Sequence, residues 1–480
     1  MSESAIALAR RLGAWVAGLG LEDIPPSTLA SAKRCLVDVI GVAAAGLDHE
    51  PAVKSRSHAK AQFARGPCGV LGEPASLTAP GAALANGVAA HVLDFDDTSY
   101  EGILHGSAVI WPAVMAAGET SGITGERFIT AFIAAAEIEY ALGRALADRP
   151  YEKGWWTTGL LGTIAAAAGA AKALGLDAEQ TTNAISIAAC QAAGLHAMVG
   201  TPVKALACGR TAQIGVESTL FAAAGIAGRE SIFEHARGFL ELFNDGVVDA
   251  GPIGSLGSHW RLDRPGIAFK LYPVCSAAQA AVEAVAQILR EEAVSPARIR
   301  RVHCEVTPLV ALSLAYARPC SVTQAQFSMP FAVGCMLAYG ELTAGHLTTE
   351  TLNDPALLAA MSKVEMTPSD AVAPTADDRA RYPEGAIVTV EVDDGTRHRR
   401  FNGAATGMPA RPMSDQALER KFLSCTTSRL STDEAKAVLS NIASIEKLRH
   451  ISDLIRPLCS PRDSRDKPRR SSKERGGSAG

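Results

Sequence analysis

The stretch from His91 to Ser107 places Asp94, Asp96, Asp97, Thr98 and the imidazole of His105 in one short window. The segments on either side are rich in Ala and Val. Carboxylates are costly to bring beside an apolar core, so a cluster of them there points to a task. The plain alternative is a solvated acidic turn between two helices. It loses ground because Ala108-Val109-Ile110-Trp111-Pro112 resumes an apolar helix just after His105. The polar window therefore falls at a break between packed helices, where a pocket can form. His105 is the first acid/base candidate, since imidazole titrates near neutral pH, although a lone histidine is more often structural. Asp94 either orients and charges His105 or is itself the base. Asp96 and Asp97 read as supporting residues or helix caps. The same aspartates could instead hold a magnesium–diphosphate group, but no second acidic motif lies on another helix.

The elements that must position this window are mostly helical. Leu8, Leu12, Trp15, Val16 and Leu19 recur at helical spacing, and Pro25-Pro26-Ser27 opens a second helix that ends near Gly46. Residues 80–92, 107–121, 127–146, 179–194 and 207–226 read as further helices. Gly159 to Leu174, almost all Ala, Gly and Leu, suits a central helix with close neighbours. Leu174-Gly175-Leu176-Asp177 reads as a stop, a link and a fresh N-cap. After about residue 265 the texture changes. Val302, Cys304 and Val306 alternate with polar residues as in a half-buried strand, Val364–Met366 is another, and 386–401 reads as a hairpin. Helices are expected at 276–293, 324–338 and 354–361, and helical patterning returns over 415–456. The expected organisation is mainly α: a large all-α unit over 1–265 and 405–458, a smaller α+β unit over 266–404, and a disordered basic tail over 460–480.

Composition narrows the class. The 480 residues are 48% hydrophobic and 20% charged, with only 5% aromatics, as for a soluble enzyme of tightly packed helices. The net charge of −4 argues against nucleic acid as the main partner. No apolar run suggests a membrane helix. The start of the chain does not read as a signal peptide, and the ten cysteines form no Cys-x-x-Cys pair; both fit reduced thiols in a cytoplasmic protein.

Several segments, in order, resemble the MmgE/PrpD family. They are His91 to Pro112, Gly200-Thr201-Pro202-Val203-Lys204 with Gly209-Arg210-Thr211, Arg237-Gly238-Phe239-Leu240, Phe269-Lys270-Leu271-Tyr272-Pro273-Val274-Cys275, and Tyr316-Ala317-Arg318-Pro319 with Gln326-Phe327-Ser328-Met329-Pro330. Members include 2-methylcitrate dehydratases, cis-aconitate decarboxylases and iminodisuccinate epimerases. The resemblance implies a helical domain under an α+β lid with the site between them, a homodimer, and activity without a metal or organic cofactor. Carried over by motif, the site holds Asp94, Thr98, His105, Lys204, Lys270, Cys275 and Tyr316. Two positions depart from the pattern: Trp156 stands where many members have a histidine, and Gln279 where a histidine commonly opens the next helix. An indole is neither acid nor base near neutral pH.

Reactions of this kind develop carbanion- or enolate-like charge beside a carboxylate of a small polyanion. Lys204 and Lys270 are the expected carboxylate clamps, though Lys204 also reads as a lysine snorkelling from a helix start. Arg210 follows at a spacing that could share its face, or else makes a surface ion pair. Thr98 and Tyr316 could donate to a carboxylate or leaving hydroxyl, unless Tyr316 simply packs. Cys275 reads as a packing residue. The expected activity is a dehydratase or decarboxylase acting on a di- or tricarboxylate. The alternatives are an epimerase of an imino- or amino-dicarboxylate, or a binding paralogue that has lost catalysis.

Overall fold

A computed structural model describes residues 7–460 of the chain. The tail expected at 460–480 lies, from residue 461 onward, outside the described residues. Among the described residues, nine helices of ten residues or more build the first half: α1 (Leu8–Gly18), α2 (Pro26–Gly46), α3 (Glu50–Gln62), α4 (Ala79–His91), α5 (Gly106–Ser121), α6 (Gly125–Leu146), α7 (Thr157–Leu174), α8 (Ala178–Gln191) and α9 (Val203–Ala223). The central helix is α7, which touches α5, α6, α8 and α9. Its small residues let it sit that close: a side-chain carbon on Gly169 would lie 2.6 Å from Val114 of α5 and 2.9 Å from Ala135 of α6. It stops at Gly175 (φ 77°), and Asp177 with Gln180 then forms a reciprocal cap on α8.

The second half contains α10 (Ser276–Glu291) and α11 (Met329–Tyr339). A four-stranded sheet follows from β2 (Ile299–Val306), β3 (Val364–Pro368), β4 (Ala386–Val392) and β5 (Arg397–Asn402), in the order β3-β2-β4-β5. Strands β2 and β3 are parallel, with Val302 opposite Val364, and the other pairs are antiparallel. The alternation in β2 buries Val302, Cys304 and Val306, and α10 covers β4 and β5. The chain then returns as α12 (Asp415–Thr426) and α13 (Thr432–Ala443), and α12 packs on α2. The chain is mainly α, and its apolar core runs without interruption from Leu12 through Val388 to Leu458.

Three differences from the sequence pattern have physical causes. Helix α3 buries only Ala52, Ser55 and Ala59, so it carries no apolar stripe to read. A short strand, β1 (Arg65–Cys68), interrupts the region expected to be wholly helical and bridges only to Leu77. The helix expected at 324–338 is broken: a turn at Val322–Ala325 ends before Ser328, whose hydroxyl caps α11. The break frees Gln326 and Phe327 to reach the site.

Candidate active site

The break between α4 and α5 is held from three directions. Thr98 pairs with Ala268 through two backbone hydrogen bonds of 2.9 Å, which brings Lys270 under the loop. Gln326 donates to the Val92 carbonyl at 2.8 Å, and its own carbonyl accepts from the Cys275 amide. From α12, Lys421 donates to the Phe95 carbonyl at 2.8 Å and to Asp38 of α2 at 2.7 Å. Within this frame Asp94 adopts a left-handed backbone (φ 49°), which turns its side chain inward.

Asp94 is the hub. Its Oδ1 accepts from Lys204 Nζ at 2.5 Å, and Lys270 Nζ reaches its Oδ2 at 3.1 Å and its carbonyl at 2.6 Å. His105 Nε2 stands 3.8 Å from Oδ1. Burial opposes the Asp94 charge, but Lys204 and then Lys270 hold its carboxyl well below the usual range. Burial would likewise depress Lys270, yet Asp94 and Asp96 keep its pKa raised.

The imidazole of His105 sits at the start of α5. Its Nδ1 faces the Asp97 carbonyl at 3.1 Å and the Asp96 carboxylate at 3.2 Å. That arrangement places the ring proton on Nδ1 and leaves the Nε2 lone pair toward Asp94 and the cavity. Burial, assisted by the fields of Lys204 and Lys270 and resisted by Asp96, lowers the His105 pKa to about 4, so the ring is neutral at pH 7. Asp97 is pushed the other way, to about 7, by burial and by Asp38. His91, not singled out from the sequence, joins the cluster: its Nδ1 lies 2.9 Å from Asp96 and its Nε2 2.7 Å from Lys204 Nζ.

Of these groups, Asp94, His105 and Lys204 border a cavity of about 40 Å³. Asp94, Thr98, His105, Trp156, Lys204 and Cys275 all line it, so six of the expected positions converge. Thr98 Oγ1 is buried and makes no hydrogen bond. Cys275 is an unreactive thiol: burial, then Asp94, pushes its pKa up to about 12.

Three expected positions fall elsewhere. Lys270 is behind Asp94 and spends its donors on it, so it acts through Asp94 rather than touching the cavity. Arg210 is exposed and bonds Gln213 at 2.7 Å. Six residues along a helix turn it about 120° away from Lys204, so the two do not share a face. The Tyr316 hydroxyl donates to the Val199 carbonyl at 2.8 Å, which places it behind the cavity wall.

Other lining residues had no sequence signal. Glu384 is buried on the wall and accepts from Tyr100 at 2.6 Å and Ser276 at 2.7 Å. His196, Tyr151 and Ser313 form a chain of contacts of 3.0 Å and 3.2 Å along another side.

Nitrogen and oxygen atoms of His91, Asp94, Asp96 and His105 lie within 4.8 Å of one another, a donor set a metal of zinc type could use. The Lys204 ammonium already lies within hydrogen-bonding distance of His91 Nε2 and Asp94 Oδ1, so an ion there would have to displace it.

Residues 10–249 match the model of the MmgE/PrpD N-terminal domain, and residues 272–447 that of the MmgE/PrpD C-terminal domain. The chain belongs to the MmgE/PrpD family. Among curated relatives, cis-aconitate decarboxylase of Mus musculus is 26% identical over 92% of both chains. That of Homo sapiens is 26% identical over 92% of this chain and 93% of its own. That of Aspergillus terreus is 26% identical over 93% and 95%.

The two departures from the family pattern have different consequences. Trp156 faces the cavity, its ring 5.8 Å from both Lys204 Nζ and the His91 ring, so an apolar, electron-rich face stands where an imidazole was expected. Gln279 is outside the cavity. Its amide oxygen accepts from the Leu271 and Tyr272 amides, and its nitrogen donates to the Tyr272 and Val274 carbonyls. It fixes the turn that carries Lys270, with four bonds an imidazole could not make.

Proposed function

We propose that the chain is a cofactor-independent lyase that decarboxylates a small tricarboxylate of the cis-aconitate type. The observation that carries this reading is the convergence of the Lys204 ammonium and the His105 imidazole on Asp94 at one cavity. Relatives that decarboxylate cis-aconitate, aligned over nine tenths of both chains, support the choice of reaction.

Lys204 would exchange part of its bond to Asp94 for a substrate carboxylate, and Thr98 Oγ1 would supply a further hydrogen bond. When the C–C bond to the departing carboxylate breaks and CO₂ leaves, the electron pair passes through the adjacent double bond toward a remaining carboxylate. A cation there lowers the cost of that charge. His105 would deliver the proton to carbon. A polyanion bound beside Nε2 raises the imidazole pKa, so the ring takes up its proton as substrate arrives. A cavity of about 40 Å³ has room for a few waters and less than a tricarboxylate needs. Residues 266–404, which supply Cys275, Phe327 and Glu384, are therefore read as a lid that moves to admit it.

Dehydration is the second reading, favoured by one observation: the resting His105 is neutral with an open lone pair, as a base requires. A panel of polycarboxylates followed by proton NMR in heavy water separates the two. Decarboxylation yields a product lacking one carboxylate and carrying one new deuteron, whereas dehydration yields an alkene with no carbon lost. Deuterium entering substrate without net product identifies an epimerase, and stabilisation by citrate without any exchange a binding protein. Under the proposal, His105→Ala and Lys204→Ala each lower turnover at least about 10²-fold while the chain stays folded. Full activity in either variant overturns it.

A further inference from the structure

One surface cavity adjoins the inner one, and a second adjoins the first. The first, about 370 Å³, is bordered by Tyr100, Ile103, Arg144, Arg379 and Arg381. The second, about 520 Å³, shares Glu101, Arg144 and Pro265 with the first and adds Arg261 and Arg264. Together they make one trough whose walls hold five arginines against Glu101, Asp148 and Asp249. The excess is cationic on a chain whose net charge is −4.

A single turn of chain separates the trough from the inner cavity. Ile103 lines both. Tyr100, on the trough side, donates to Glu384, which lines the inner cavity. The turn is closed by paired bonds between Ser99 and Leu104 of 2.8 and 2.9 Å. At its tip Ile103 holds φ 58°, a left-handed conformation that a β-branched residue adopts only under constraint.

The arginines have unused capacity. Among the described residues, Arg144, Arg379 and Arg381 form no salt bridge. Arg379 makes only long contacts of 3.4 Å to the Ala373 and Pro374 carbonyls, and Arg381 lies over the Tyr382 ring at 5.3 Å. Arg261 is 3% exposed, and its Nε and Nη1 make no hydrogen bond; the nearest carboxylate, Glu101, is 3.5 Å from Nε. Its Nη2 is bound to the Pro252 carbonyl and to Ser255. Glu101 thus partners Nε, whereas a buried guanidinium N–H left without a hydrogen bond, as on Nη1, is costly and calls for a partner.

We propose that this trough is an anion-docking vestibule, which binds the carboxylates of the incoming substrate before they pass the 99–104 turn. The inference rests on the reading of the inner cavity as a polycarboxylate site. Low-dielectric walls with an excess of one sign concentrate an anion ahead of the reaction and speed its capture.

The test is the combined Arg144→Gln/Arg379→Gln/Arg381→Gln variant of the full chain, assayed against ionic strength with the acid the parent turns over. Expected is a loss of about tenfold in kcat/KM at low salt, a much smaller loss in kcat, and a flatter salt dependence. A kcat/KM within twofold of the parent, with the same salt dependence, overturns the vestibule and leaves the inner site standing. A parent that turns over none of the acids counts against the inner-site reading instead. The trough is then judged by titration calorimetry of citrate at low salt into Lys204→Met, whose inner clamp is gone. Residual heat that vanishes when the three substitutions are added supports the vestibule. No heat, or the same heat after they are added, overturns it.

Discussion

At the scale of single residues, the two proposed reactions differ in the state they require of His105. Its pKa of about 4 leaves roughly one ring in a thousand protonated at pH 7 in the free protein. A kcat/KM profile reports the ionisation of the free enzyme. If Nε2 must deliver a proton, kcat/KM falls about tenfold per unit between about pH 6.5 and 8.5, because the reactive form thins as pH rises above the folded pKa. If Nε2 accepts a proton, the profile is level over that window and falls only on acidification toward pH 4. The decarboxylase reading predicts the falling profile, with net proton uptake when citrate binds, measured calorimetrically in two buffers of different ionisation enthalpy. A level profile transfers the assignment to dehydration. The meeting of Asp94, His105 and Lys204 was legible in sequence because short motifs carry these residues. Arg210 was misplaced because its distance along the helix was read without its angle. Glu384 was invisible: a carboxylate in a loop about 280 residues from its Tyr100 partner has no spacing to betray it.

Among the elements, the contact of α4 with α9 does most to set the site. The helices run antiparallel, so Gly87 faces Gly209 while His91, one turn on, meets Lys204. A side-chain carbon on Gly87 would lie 2.8 Å from the Gly209 Cα, closer than atoms approach without displacement. Gly87→Ala should therefore separate the helices, cost about 1–3 kcal/mol in chemical denaturation, and reduce kcat by lengthening the Lys204–Asp94 bond. Unchanged stability and kcat would show that the helices give way without moving the site. The composition of these segments announced close packing, and their helical period announced their type. The pairing of α4 with α9 was not legible, because the small apolar residues that make up most of α4 carry no directional stripe.

The molecule as a whole is closed by its last helices acting on its first. Lys421, far along the chain, is buried between Asp38 of α2 and the carbonyl of Phe95, and lies 3.7 Å from the Phe95 ring centre. Lys421→Ala leaves Asp38 buried without its cation and should cost about 3–5 kcal/mol. Asp38 already has a pKa raised by burial, which Lys421 resists. Without the lysine its carboxyl stays protonated to higher pH, so the loss of stability is larger at pH 8 than at pH 5. Equal thermal shifts at the two pH values would contradict this. The return of the chain to the helical layer was legible from its regained helical period over 415–456. Its role under the loop between α4 and α5 was not, since a lysine in an amphipathic helix ordinarily faces water.

The ammonium of Lys204 is already engaged by Asp94 and His91. On the proposed reading, an arriving acid would inherit only the share of that cation which its resident neighbours give up, so each association would begin as an exchange of partners. Modest affinity and prompt discharge of product would follow from this competition, because the protein's own carboxylate stands ready to reclaim the cation as soon as the guest loosens.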